Sequence, residues 1–156
     1  NNMKMDEMKH SIVKPTWVIP HPNQDVLYVA GNGSDEIIEV DIDKWDISKR
    51  IKTEKGPYNI EISPDGKYMV ATLKSVAKTA VWELKSGDLI KTFDNSNSVP
   101  HGVAISSDSK YAFISVEGVG GEPGIVDVID LENQILVDKV EIGKQAGGIA
   151  FWKKDI

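Results

Sequence analysis

Short runs of apolar residues alternate with polar ones along nearly the whole chain, and turn-forming residues interrupt them about every eight to twelve positions. This period-2 pattern predicts strands over residues 17–19, 26–30, 36–41 and 48–53, then 59–62, 68–72, 80–84 and 88–93, then 102–105, 111–116, 124–130 and 135–142. Two more are expected near the ends, over 3–13 and 148–151. Val, Ile and Tyr dominate these runs, and no segment carries a sustained helical period.

The pattern repeats. The segments "PTWVIPHPNQDVLYVAG", "PYNIEISPDGKYMVATL" and "PHGVAISSDSKYAFISV" begin at Pro15, Pro57 and Pro100, which are 42 and 43 residues apart. A fourth copy, "AGGIAFWKKDI", begins at Ala146, its spacing lengthened by the Gly-rich insertion "GVGGEPG" at 118–124. Between the first two strands of the second copy, Pro64-Asp65-Gly66 supplies a turn in which Gly66 is expected at positive φ. His21-Pro22-Asn23-Gln24 and Ser106-Ser107-Asp108-Ser109 occupy the equivalent turn.

Four antiparallel strands, here called a to d, in a unit of about 40–45 residues mark a β-propeller blade. The expected fold is all-β: about three complete four-stranded blades over 15–56, 57–99 and 100–145 in a single domain spanning 1–156, with a terminal strand at each end. Residues 1–14 would hold strand d of a preceding blade and 146–156 strand a of a following one. Such an arc leaves terminal faces and strand edges uncovered, so the chain is expected to be part of a larger propeller. Missing sequence, a second polypeptide or another copy of the chain would complete it. "VLYVAGNGSDEIIEVDID" together with "GVAISSDSKYAFISVEG" resembles the YVTN-type propeller repeats of bacterial and archaeal surface or periplasmic proteins, with Ala30-Gly31-Asn32 where that pattern reads Thr-Asn.

The resemblance implies that strand a lines a central channel and that the d-to-a and b-to-c loops share one face. Alternation then sends Ile60, Ile62, Val103, Ile105, Ile149 and Phe151 into the inter-blade core, and turns Asn59, Glu61, Gly102, Ala104, Gly148 and Ala150 toward the channel. Tyr58, His101 and Gly147 match at its mouth. The variable loops of this face run over 31–35, 74–79 and 117–123, and over 54–58, 94–101 and 144–147.

Candidate ligand-binding residues are therefore Tyr58, Asn59, Glu61 and His101, with Lys74, Lys78 and Glu122 from the loops. His101 is also the candidate metal ligand, because imidazole coordinates metals and moves protons near neutral pH. His21 belongs to an a-to-b turn on the opposite side and His10 to the N-terminal strand, so neither converges with it. Asp41, Glu83 and Asp130 recur at the end of strand c, where a carboxylate caps the following turn. Trp82 is expected between blades, whereas Trp17 and Trp152 lie near enough to strand a to reach the axis. "GVGGEPG" is no phosphate loop, since no helix or Lys-Ser/Thr follows it. Asn32-Gly33-Ser34 fits the glycosylation acceptor pattern but reads equally as a turn.

A net charge of −6 without a basic cluster argues against nucleic acid as a partner. No stretch approaches the ~18 apolar residues of a membrane span, and residues 1–10 are too polar for a signal peptide. The absence of cysteine removes disulfide and thiolate chemistry and leaves the compartment open. The family resemblance implies a periplasmic or extracellular site, and a cytoplasmic one remains compatible with the composition.

Two functions fit such a chain. The first is a non-catalytic binding or scaffold propeller that recognises a protein, glycan or small ligand on its loop face. The second is part of a propeller enzyme, lactonase-like or a haem- or copper-bearing oxidoreductase. The enzyme needs several acids or histidines on the axis, and this chain offers His101 there and no Cys-x-x-Cys-His. Binding is the preferred reading. No cofactor is expected, and a metal or haem would need further ligands from other blades.

Overall fold

The computed structural model describes residues 12–153. These residues form twelve strands in three four-stranded antiparallel sheets, each a simple meander in which chain order equals spatial order. The first sheet contains β1 (Pro15–Pro20), β2 (Val26–Gly31), β3 (Glu36–Asp41) and β4 (Asp46–Lys52). The second contains β5 (Pro57–Ile62), β6 (Tyr68–Leu73), β7 (Lys78–Glu83) and β8 (Asp88–Asp94), with a 3-10 turn at Lys74–Val76 between β6 and β7. The third contains β9 (Val99–Ile105), β10 (Tyr111–Glu117), β11 (Ile125–Asp130) and β12 (Ile135–Glu141). The expected strands lie within a few residues of these, with the first strand of each sheet extended toward its leading proline. The strand expected over 3–13 falls almost wholly outside the described residues.

The sheets stack face to face, and the alternation of side chains decides what each interface holds. Between the first and second sheets Tyr28, Ile37 and Ile51 meet Ile60, Met69 and Trp82. Between the second and third, Tyr68, Val70, Val81 and Phe93 meet Val103, Ile105, Ile114 and Ile129. Ile60, Ile62, Val103 and Ile105 enter these layers as the alternation requires, and Trp82 is 2% exposed. Burying such side chains is worth roughly 1.5–3 kcal/mol each. The second sheet is covered on both faces, so every residue of β6 is buried, whereas β2 and β10 combine buried and half-buried positions. On the other face of the first sheet Val18 is 55% exposed while Ile38 is 6% exposed.

Residues 148–151 run along the inner edge without a ladder partner among the described residues. They are held by other means: the Phe151 ring stacks on Phe113, with centroids 6.0 Å apart, and the Ser115 hydroxyl donates to the Gly147 carbonyl.

The turns explain which residues recur. After β5, Ser63 Oγ accepts the Tyr68 amide at 2.9 Å, Gly66 donates to the Ser63 carbonyl at 2.7 Å, and Gly66 sits at φ +73. Ser106 does the same for Tyr111 in the third sheet, where Ser109 is forced to φ +61. In the first sheet His21 takes the place of the serine and is 7% exposed, its Nδ1 accepting the Asn23 amide. At the opposite turns Asp41 accepts the amides of Asp43 and Lys44, and Asp130 those of Glu132 and Asn133. The Lys44 side chain beside Asp41, and the Asn133 amide beside Asp130, hold both carboxyls below the usual aspartate range. Glu83 departs from this expected cap: the Gly87 amide donates to its main-chain carbonyl, and Gly87 itself supplies the turn at φ +78.

A Cβ at Gly66 would lie 2.9 Å from His21 Cε1 in addition to demanding positive φ from a branched residue. Gly66→Val should therefore cost about 2 kcal/mol or more, read as a lowered melting temperature by circular dichroism. An unchanged melt would show that the turn does not constrain the first two sheets.

Candidate functional site

The first strand of each sheet opens with an irregularity. In β5, Tyr58 and Asn59 together face the single residue Thr72 of β6, because Pro57 pairs with Leu73 and Ile60 with Ala71. In β9, His101 and Gly102 face Ser115 of β10 in the same way, and in β1 the register breaks at Thr16. Such β-bulges leave main-chain groups outside the ladder. The side chain opposite the bulge receives them: Thr72 Oγ1 accepts the Asn59 amide at 3.1 Å, and Ser115 Oγ accepts the Gly102 amide at 2.9 Å.

Each hydroxyl then reaches beyond its own sheet. Thr72 donates to the His101 carbonyl at 3.0 Å, and Ser115 donates to the carbonyl of Gly147. The first sheet has Ala30 opposite its bulge, and there Thr16 donates to the Tyr58 carbonyl at 2.7 Å. Tyr58, His101 and Gly147 are thus joined by main chain to the sheet before each of them. Asn59 adds a second link, its Oδ1 accepting the Val103 amide at 3.3 Å.

The inner strands enclose a cleft of about 660 Å3. Tyr58, His101 and Trp17 stand around it with Asn59 and Glu61, while Gly102, Ala104, Gly148 and Ala150 form a wall of small residues. At the rim the Tyr58 and His101 rings meet edge to face, their centroids 5.5 Å apart. Lys74 Nζ lies 4.3 Å from the Tyr58 ring centroid, and His101 Nε2 lies 2.7 Å from Glu117 Oε2. A carboxylate can only accept, so Glu117 holds the imidazole proton on Nε2 and leaves Nδ1 as the open nitrogen of neutral His101.

Glu61 differs from the other acids of this region. Its half-buried carboxylate takes one hydrogen bond, from the Ile62 amide at 3.3 Å, and burial raises its pKa above the ordinary 4.5. The remaining candidates lie elsewhere. Lys78 is paired with Glu54 at 3.2 Å, and Glu122 folds back to accept the Val119 amide inside the 118–124 loop. Neither lines the cleft. Trp17 reaches it, whereas Trp152 is 88% exposed and does not.

Sequence reasoning missed Glu117, Thr16, Thr72 and Ser115. The signal for Thr72 and Ser115 was present, since both place a hydroxyl at the same repeat position in otherwise apolar strands. Among the described residues no group of three His, Asp or Glu is arranged to hold a metal ion.

No family model matches this chain, and no curated protein matches it closely. Among solved structures it is similar to that of U3-55K, with a TM-score of 0.80 at 15% identity over 94% of this chain. The WD40 repeats of RRP9 superpose with the same score and identity, again over 94% of this chain. The three sheets are β-propeller blades. Kuenenia stuttgartiensis hydrazine synthase is a more distant neighbour, with a TM-score of 0.55 at 15% identity over 92% of this chain. The chain spans 45% of the U3-55K chain, 44% of the RRP9 chain and 53% of the hydrazine synthase chain. At such identities the likeness establishes the fold of the blades, while activity belongs to sites built on it.

Two measurements check this geometry. Thr72→Val keeps the shape but orphans the Asn59 amide and the His101 carbonyl, so it should cost about 1–3 kcal/mol in chemical denaturation, with Thr72→Ser losing much less. Glu61→Gln should have the opposite sign at neutral pH. A carboxyl whose folded pKa is raised favours folding fully below its unfolded value, and that contribution is lost as pH rises through the folded one. The variant should thus match or exceed the parent's stability at pH 7 and lose that margin below 4.5.

Proposed function

We propose that this chain is the recognition-bearing part of a non-catalytic binding or scaffold propeller, with its ligand held at the axial mouth. The observation that carries this reading is the rim itself: Lys74, Tyr58, His101 and Glu117 form one contiguous polar and aromatic series from four separate segments, and Tyr58 and His101 line the cleft. Rigid β-structure holding variable loop residues is the usual construction of a binding surface. Tyr58, Asn59, Glu61, His101 and Lys74 are assigned to contact the ligand, and Lys78 and Glu122 to flank it. No cofactor is required. His101 would bind a metal through Nδ1 only with further ligands from other blades.

The chain acts as an arc completed by additional blades. Trp17 and Val18 are 46% and 55% exposed on one terminal sheet, while Phe151 on Phe113 and Ser115 on Gly147 seat the first residues of a further blade on the other. The YVTN-like character of the first repeat extends the proposal to a bacterial or archaeal surface or periplasmic protein, which cell fractionation would check.

Phage-displayed heptapeptides panned against the purified chain test the rim. Selected binders should lose at least tenfold in affinity for His101→Ala or Lys74→Ala, and the Lys74 variant should leave the melt nearly unchanged, because a partly exposed lysine contributes little packing. Binders indifferent to both variants would overturn the assignment. Light scattering with circular dichroism tests the arc: self-association, weak folding or a defined complex is expected, and a compact monomer with a cooperative melt contradicts it.

A further inference from the structure

The axial cleft has a chemical polarity that its rim does not reveal. Glu36, Glu54 and Glu117 each have a cationic or imidazole partner within 4.0 Å, yet none of the ion pairs among the described residues includes Glu61. Its carboxylate stands in the cleft, half-buried, with a single main-chain donor from its own neighbour. Removing an ionised carboxylate from water without a counter-charge is unfavourable, and a cation delivered to that position recovers the lost solvation.

The walls specify the form of that cation. Gly102, Ala104, Gly148 and Ala150 present little more than backbone and methyl groups to the cleft that Glu61 also lines, and Ile149 and Phe151 add apolar surface, a lining suited to a slender apolar stem. A Cβ on Gly148 would meet nothing within 4 Å, so the cleft is open there, whereas one on Gly102 would lie 3.0 Å from Ile149 Cγ2 and from Ser115 Oγ. The 46% exposed ring of Trp17 also lines the cleft and offers a π face to a positive charge. A metal ion fits poorly, since Glu61 offers one carboxylate and no group of three ligating side chains is present among the described residues.

Resting on the binding reading above, we propose that the cleft takes the basic side chain of a partner polypeptide, its guanidinium or ammonium head on Glu61 and its methylenes along the wall of small residues. The rim then meets the partner's backbone, with Lys74 and the His101–Glu117 pair supplying donors and an acceptor for peptide groups.

End-blocked, fluorescein-labelled heptapeptides with a single central arginine, lysine, citrulline or norleucine in a glycine background test this by fluorescence polarisation. The measurement uses the purified chain in the assembled state that light scattering identifies. The arginine and lysine peptides should bind at least tenfold more tightly than the citrulline and norleucine ones. Glu61→Gln should lower the arginine peptide's affinity at least tenfold without lowering the melting temperature. Free n-butylammonium should compete weakly; competition as effective as the unlabelled arginine peptide would make the ligand a small amine and overturn the polypeptide assignment. Equal binding of charged and neutral peptides, unchanged affinity in Glu61→Gln, or no binding of any peptide would each overturn the proposal. If neutral peptides bind and lose affinity in His101→Ala, the binding reading stands and only the cationic specificity falls.

Discussion

A hydroxyl opposite a bulge organises this protein. Where the inner strand of the second or third sheet gains a residue, a main-chain N–H leaves the ladder, and Thr72 or Ser115 accepts it. The same oxygen carries a proton that needs an acceptor, which for Thr72 is a carbonyl of the next sheet and for Ser115 that of Gly147 in the segment after it. A local defect in one sheet thereby becomes a bond between sheets. Apolar burial supplies most of the favourable free energy at these interfaces, but it is non-directional and would tolerate sliding of one sheet over another. The hydroxyl link, repeated from Thr16 to Tyr58, from Thr72 to His101 and from Ser115 to Gly147, pins the register at the axis.

Much of this architecture was legible from residues alone because it follows from period and punctuation. The prolines at 15, 57 and 100 mark the repeat, alternation within 59–62 and 102–105 predicts which side chains enter the interfaces, and Gly66 reads as a positive-φ turn from its place after Pro64-Asp65. What was not legible depends on register. Glu117 pairs with Val99 and reaches His101 across the bulge that His101 and Gly102 make in β9, and no spacing rule predicts a one-residue offset. Glu83 misled for a related reason: it shares a repeat position with Asp41 and Asp130, but Gly87 reaches the turn geometry through its own backbone.

The loops show the same division. Lys78 and Lys74 look equivalent as nearby positive charges, yet one is paired with Glu54 and the other lies over Tyr58. Four residues of separation, with a 3-10 turn between, decide which lysine reaches the rim. Glu61 was expected on the axis from alternation, and its distinction there comes from its neighbours: glycine and alanine occupy the adjacent inner positions, so its carboxylate has room but no company.

The link at the axis holds Tyr58, His101 and Gly147 by their carbonyl oxygens, not by their side chains. A phenol, an imidazole and a bare hydrogen are therefore equally compatible with the same scaffold. Architecture and specificity are carried by different atoms of the same residue, so the mouth of the channel is free to diversify under selection while the ring that supports it stays in register.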